Sequence, residues 1–277
     1  MTPEPGIYTG VPFTEYHSWE AANNSLLKII ADKSPLHARA YMDFPPEPTP
    51  AFVFGRAQHC LVLEPKKFEA EYVVAPKCDR RTKDGKALWE AFEKNANGKE
   101  IVTYQDYATM CEITKAIKGQ VISRCIEGGE AEVCVVWVDK RTGMLCKARA
   151  DYAHRGQAII IDMKTTTDAS PVAFAKAVAN YRYLQQAAFY SDGWKEATEI
   201  LPAFVFLPVE KEYPYAAAAY QVTDEDIEAG RNMYRKALKI YAECVKTNTW
   251  PGYGGSVEML DMPDWWRKQH GVHQFNL

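Results

Sequence analysis

Apolar and polar positions change period along the chain, and each change marks an element. Residues 1–24, with Pro3, Pro5, Gly6, Gly10 and Pro12, read as an irregular lead-in. From Asn24-Ser25, a capping pair, to about Met42, the apolar positions Leu26, Leu27, Ile30, Leu36 and Tyr41 predict a helix. The prolines of Asp43–Pro50 forbid helix and predict an extended connector. A second helix follows from about Ala51 to Leu63 and stops before Pro65, with further helices near 86–96 and 104–126. The period then shortens. Glu132–Val138, Met144–Tyr152 and Ala158–Thr165, separated by turns ending at Gly143 and Gly156, predict a three-stranded meander. Ser170-Pro171 opens a helix to about Trp194. Ala203–Leu207 and Ala216–Val222 read as two more strands, and Thr223 caps a long helix to about Thr247. The sum is an α/β (α+β) arrangement, a central mixed β-sheet flanked by helices.

No repeat, linker or low-complexity block divides the chain, so 1–277 is expected to form a single domain. Its parts are a mostly helical segment 1–126, a sheet-and-helix segment 127–222, and a C-terminal helix with an aromatic tail, 223–277. Trp250-Pro-Gly and Trp265-Trp266 make that tail too aromatic for a disordered end, so it is expected to dock on the body. No apolar run reaches about eighteen residues, and the start has neither a basic region nor a hydrophobic segment. A cytoplasmic location is the expectation. The seven cysteines (60, 78, 111, 125, 134, 146, 244) form no Cys-x-x-Cys pair, so no zinc or iron–sulfur site is indicated and they read as packing residues. A net charge of −3 and a pI near 6.1 argue against coating of nucleic acid by a general basic surface. A local positive groove stays open: Arg80-Arg81-Thr-Lys83-Asp-Gly-Lys86 is one basic loop, and Arg56, Arg149, Arg155, Lys164, Lys176 and Arg182 flank the most chemical segment.

That segment is Arg149-Ala-Asp151 followed by Asp162-Met-Lys164 at the end of an apolar run. Alternation on a strand turns Asp162 and Lys164 to one face and Met163 to the other. With Asp151 on the neighbouring strand, two carboxylates and an ammonium converge. Such a set can hold a hard divalent cation and stabilise a charged phosphate. The alternative on the local pattern is a surface hairpin with an ordinary Asp–Lys pair.

Gly55-Arg-Ala-Gln-His59, Glu132 opening a strand, the Thr142-Gly143 turn, Arg149-Ala-Asp151, Asp162-Met-Lys164-Thr-Thr and Gln186-Ala-Ala-Phe-Tyr190 stand in a telling order. In that order they resemble the exonuclease VIII (RecE) type of nuclease domain. This family lies in the PD-(D/E)xK superfamily with RecB-type and phage lambda exonuclease domains, and the resemblance runs from about Ser25 to Gly193. It implies a restriction-endonuclease-like core. It also implies Asp151 and Asp162 as ligands of Mg²⁺ (or Mn²⁺), Lys164 as the catalytic lysine, His59 as a further ligand, and Met163 as a backbone-carbonyl ligand. Gln186 would meet a phosphate oxygen or a metal-bound water, and Tyr190 would stack on a base or brace the site. Gln185 beside it leaves a one-residue ambiguity. Glu132 could bind metal or orient its neighbours. Arg149 could meet a phosphate or neutralise the acids, and Arg56 and Arg182 are further candidates for DNA contact.

The resemblance implies metal-dependent hydrolysis of linear double-stranded DNA, 5′-to-3′, leaving 3′ overhangs for recombination. The implied partners are duplex DNA ends, copies of the same chain in a homo-oligomeric ring, and a single-strand annealing protein, in a phage or prophage setting. Two alternatives stay open: a Cas4-like or repair nuclease on single strands or flaps, and a non-catalytic DNA-end-binding recombination module.

Overall fold

The computed structural model describes residues 2–119 and 128–271. In chain order come β1 (Gly6–Tyr8), α1 (Phe13–Ser18), α2 (Asn24–Asp32), α3 (Pro35–Asp43), α4 (Pro50–Leu63), α5 (Pro65–Glu71), β2 (Tyr72–Val74), α6 (Lys83–Asn95), β3 (Glu100–Val102) and α7 (Tyr104–Lys118). The meander β4 (Glu130–Val138), β5 (Leu145–His154) and β6 (Ile159–Thr166) follows. After it come α8 (Pro171–Asn180), α9 (Tyr183–Thr198), β7 (Ala203–Glu210), β8 (Tyr220–Gln221), α10 (Asp224–Thr247) and α11 (Asp264–Gln269). The main sheet has the order β1-β4-β5-β6-β7-β8. Its pairs are antiparallel except β6 with β7, which run parallel because α8 and α9 carry the chain back. β2 and β3 form a separate parallel pair.

Helices cover both faces of the sheet. Val135, Trp137, Ile160, Phe204 and Phe206 pack under Phe189 and Trp194 of α9 and Tyr234 and Leu238 of α10. On the opposite face Ile161, Met163, Leu207 and Val209 meet Ile113 and Ile117 of α7, with Phe54 and Val62 of α4 beside them. Each such buried apolar side chain contributes roughly 1.5–3 kcal/mol. Among the described residues no helix is long and apolar enough to cross a membrane. Cys60, Cys134, Cys146 and Cys244 are buried free thiols, and burial pushes Cys60 to about 12 and Cys134 to about 11, as expected of packing groups. Cys125 lies outside the described residues.

Four expectations need correction. The lead-in is not irregular throughout: Gly6–Tyr8 adds an edge strand to β4, and Phe13–Ser18 is helical. The helix expected over 24–42 is two, because Pro35 cannot continue the first, and the Ser34 side chain accepts from the His37 amide to start the second. The helix expected from 170 to 194 breaks at Arg182, which sits in the left-handed region at φ 55°. There the Arg182 guanidinium is ion-paired with Asp32 of α2, a tertiary contact with no local signature. Docking of the tail is limited. Trp250 packs near Tyr241 at 5.9 Å and Tyr253 near His37 at 5.4 Å, but Val257, Met259 and Leu260 stand in solvent. Two predicted stretches end outside the described residues, the helix of 104–126 and the tail beyond 271.

The 24-residue α10 fixes the position of α9 through one close approach. A Cβ on Gly230 would lie 2.1 Å from the Leu184 carbonyl oxygen and 3.1 Å from the Gln185 nitrogen. Those residues immediately precede Gln186, so the glycine sets how near that side chain comes to the sheet. Gly230→Ala is therefore expected to destabilise the protein by about 1–3 kcal/mol, the usual cost of overpacking. A lowered urea midpoint with unchanged m value checks this.

Candidate active site

β5 and β6 pair from His154–Ile159 to Tyr152–Ile161 and separate there. Asp151 and Asp162 are the next residues on the two strands. In place of a ladder bond, the Met163 amide donates to Asp151 Oδ2 at 2.8 Å. On the other side of β5, the pairs Val133–Ala150 and Ala131–Tyr152 flank Glu132 and Asp151. Glu132 has a φ of 54°, and strand alternation breaks with it. Val133 and Ala150 pack in the core under α9 and α10, whereas Ala131 and Tyr152 pack with α7 and α4. Glu132, Asp151 and Asp162 thus form one row across three strands, at the seam between the two cores. Glu132 lies in the third position of β4 rather than opening it.

Each acid has its own cation. Arg149 Nε donates to Glu132, and its second arm donates to the Val11 carbonyl at 3.2 Å. His59, delivered by α4, places Nδ1 3.4 Å from Asp151 Oδ1. Lys164 Nζ lies 2.6 Å from Asp162 Oδ2. Gln186 on α9 ties the last pair together: its amide nitrogen donates to Asp162 Oδ1 at 2.7 Å, and its oxygen accepts from Lys164 at 3.1 Å. Only that orientation of the amide satisfies both neighbours. Gln185 instead points into the core and donates to Asn24 Oδ1 at 3.1 Å, so the geometry puts Gln186, not Gln185, at the acids.

Burial and these pairs set the protonation states. Burial, aided by Asp151 and opposed by Lys164, raises Asp162 to about 6. For Asp151 burial acts upward, but the His59 and Lys164 charges and the Met163 amide outweigh it and hold the carboxyl low. Burial alone would lower His59 and Lys164; the facing carboxylates outweigh it and raise both. Glu132 is raised by burial and by Asp151, against Arg149. Tyr190 touches the Gln186 amide, and burial with the nearby acids keeps its hydroxyl protonated.

The residues fit a divalent cation. Ligand atoms of His59, Glu132 and Asp151 lie within 4.8 Å of one another. Asp162 Oδ2 is buried without an aligned hydrogen-bond donor, because Lys164 stands close to it but off the bonding direction. Carboxylate oxygens with one imidazole suit Mg²⁺ or Mn²⁺. Met163 buries its side chain in the core, and its backbone amide donates to Asp151.

Glu132 and Asp151 open onto a cleft of about 660 Å³, lined also by His59, Arg149, Lys164 and Tyr190, while Asp162 is buried beside Lys164. A larger hollow of about 910 Å³ adjoins it around Phe13, His17 and Phe52 but holds none of the three acids. Arg56 lines the cleft but is ion-paired with Glu100. Arg182 is held by Asp32 and is not among the lining residues. Two contributors escaped the sequence reading. The Tyr183 ring lies 4.7 Å from Lys164 Nζ, and its only signal was a place three residues before Gln186 on one helix face. Lys147 is buried and donates to the carbonyls of Tyr16 and Trp19 at 2.7 Å, holding α1 against β5 as a wall of the cleft.

A family model described as a PDDEXK-like domain of unknown function (DUF3799) matches residues 24–263. Among solved structures, a candidate exonuclease from Eubacterium rectale matches with a TM-score of 0.64 and 14% identity, over 95% of this chain and 98% of that one. At that identity the likeness shows the fold. The protein SSO0001 matches with a TM-score of 0.30 and 14% identity, over 68% of this chain and 84% of that one. No curated protein matches the chain.

Protons would compete with a cation held here. Asp162, raised to about 6, and His59, raised above its ordinary value, both bind protons as pH falls, and both must lose them to act as ligands. Mn²⁺ affinity measured by calorimetry is therefore expected to be at least about tenfold weaker at pH 5 than at pH 8, with proton release on binding at the lower pH. An affinity independent of pH over that range would contradict the assignment.

Proposed function

The chain belongs to the PDDEXK-like domain family of unknown function (DUF3799), and we propose that it is a divalent-metal-dependent deoxyribonuclease that degrades linear duplex DNA from its ends. Family membership, together with a fold shared with a candidate exonuclease, supports a nuclease. One observation carries the reading: Lys164, held by Asp162 and Gln186, lines one cleft together with the His59–Asp151 pair. In this reading residues 1–277 act as one nuclease domain.

His59, Glu132, Asp151 and Asp162 would hold the cation, Mg²⁺ or Mn²⁺. When bound, it supplies polarisation of a phosphoryl oxygen and acidification of a coordinated water. The protein's own groups do the rest. Lys164, kept charged by two carboxylates, offsets the negative charge that grows on the phosphoryl oxygens. Gln186 fixes the lysine against Asp162, and Tyr190 braces Gln186 from one turn further on. Arg149 steadies Glu132 and ties the Val11 segment to the cleft wall.

The finer reading follows the motif order shared with exonuclease VIII-type domains: 5′-to-3′ digestion leaving a 3′ overhang, action within a ring of identical subunits, and delivery of the overhang to a single-strand annealing protein. A closed ring would give a mildly acidic chain its hold on DNA through enclosure.

Asp162→Ala and Lys164→Ala are each expected to lower Mg²⁺-dependent digestion of linear duplex by at least about a hundredfold. Retained activity in either purified, folded variant overturns the site. Duplexes labelled at the 5′ or the 3′ end, with circular duplex as control, test polarity: early release of the 5′ label is expected and circles stay intact.

A further inference from the structure

Arg56, Arg149, Arg155 and Arg182, the arginines that flank the chemistry in sequence, are each engaged by a carboxylate: Glu100, Glu132, Glu130 and Asp32. The positive charge without such partners lies elsewhere. Between Lys77 and Lys86 the chain carries five basic residues and two acidic ones, whereas the whole chain carries a net charge of −3. All five basic side chains, Lys77, Arg80, Arg81, Lys83 and Lys86, are exposed. Of the five, only Arg81 has an ion-pair partner among the described residues, namely Asp79.

The segment is built as a rigid turn. The Asp79 carbonyl accepts from the Thr82 amide at 3.1 Å and from its hydroxyl at 2.9 Å. Thr82 Oγ1 in turn accepts from the Gly85 amide at 3.0 Å and caps α6. Gly85 is demanded by this closure, since a Cβ there would lie 1.9 Å from the Asp79 oxygen. The Arg81 guanidinium grips both Asp79 oxygens, at 3.0 and 2.9 Å. Arg80 lies 4.2 Å over the ring of Trp89, while Lys83, Lys86 and Trp89 follow at three-residue intervals along one side of α6. Arg80, Lys83 and Lys86 are thus presented together on a fixed scaffold. Exposed lysines scattered singly would carry no such order.

The turn is also tied to the cleft. Glu71 and Tyr72 line it, and β2 leads from Tyr72 toward the turn. The eight residue-to-residue steps from Tyr72 to Arg80 span at most about 28 Å. A duplex with its end in the cleft carries about sixteen phosphate charges along that length of axis.

We propose that the Lys77–Lys86 turn is a second DNA-contact site, in which Arg80, Lys83 and Lys86 hold backbone phosphates of the duplex whose end occupies the cleft. The proposal rests on the nuclease reading above. It assigns grip to the turn and chemistry to the acids, and it carries no base specificity, because phosphates are the same at every step.

The test measures binding of a short blunt duplex by fluorescence anisotropy between about 50 and 200 mM salt. An Asp162→Asn background is used with Mg²⁺ present, so that the DNA stays intact. Neutralising Arg80, Lys83 and Lys86 together to Gln is expected to weaken binding at least tenfold and to lower the slope of log affinity against log salt by about 3. In the otherwise native enzyme the same change should raise KM and leave kcat in place. If the triple variant melts early, Lys86→Gln alone carries the test, with a slope lower by about 1. A parent protein that binds no duplex at all sinks the nuclease reading and this proposal with it. A parent that binds, with slope and affinity unchanged in the variant, overturns the proposal and leaves the nuclease reading standing.

Discussion

Three carboxylates placed side by side on adjacent strands repel one another, and the surrounding structure is organised to hold that arrangement. At a cross-strand separation of about 5 Å and an effective dielectric near 20, each neighbouring pair costs roughly 3 kcal/mol. Glu132, Asp151 and Asp162 keep their row because each is matched by a different kind of cation: a guanidinium from the same sheet, an imidazole from α4, and an ammonium two residues along the same strand. Removing one cation would leave a desolvated acid unpaired, which costs far more than an exposed ion pair contributes.

The scaffold can be read as the means of delivering those cations. The left-handed residue at Glu132 breaks alternation where two cores meet, so the row faces a seam and not the middle of either core. α4 packs beside α7 on one face and projects His59 into that seam, while α9 on the other face projects Gln186. Their spacing depends on two close contacts remote from the chemistry: Gly230 against the Leu184 carbonyl, and Arg182 against Asp32. Both act on the start of α9, so the packing of α10 and α2 bears directly on where an amide meets a carboxylate.

Much of this was legible in the chain, for identifiable reasons. The meander showed because its strands are long and its turns carry glycine, and strand alternation put Asp162 and Lys164 on one face. The helices bearing His59 and Gln186 showed as apolar runs bounded by proline. What stayed hidden was of two kinds. β1, β2 and β3 are three residues each, too short for a period to register. The pairings Arg149–Glu132, Arg56–Glu100 and Arg182–Asp32 join residues that share no local pattern, so arginines that read as free for a phosphate are held by acids. A basic residue near a site in sequence indicates available charge only once the acids folded around it are known.

The charge balance of the row gives that distinction a chemical consequence. With His59 protonated, three acids face three cations and the cleft is close to neutral. A His59 that gives up its proton to become a ligand leaves three negative charges against Arg149 and Lys164. A divalent ion held there would bring the site to about one net positive charge, the complement of a phosphodiester monoanion. On the nuclease proposal, the pairs that keep the unliganded row folded would also ready it for substrate: His59 would exchange a proton for a ligand bond, while Arg149 and Lys164 would remain cations. With Arg149 committed to Glu132 and Lys164 to Asp162, little charge is left in the cleft to hold the rest of a duplex. On the nuclease proposal, a chain of this composition would then take its grip on DNA outside that row.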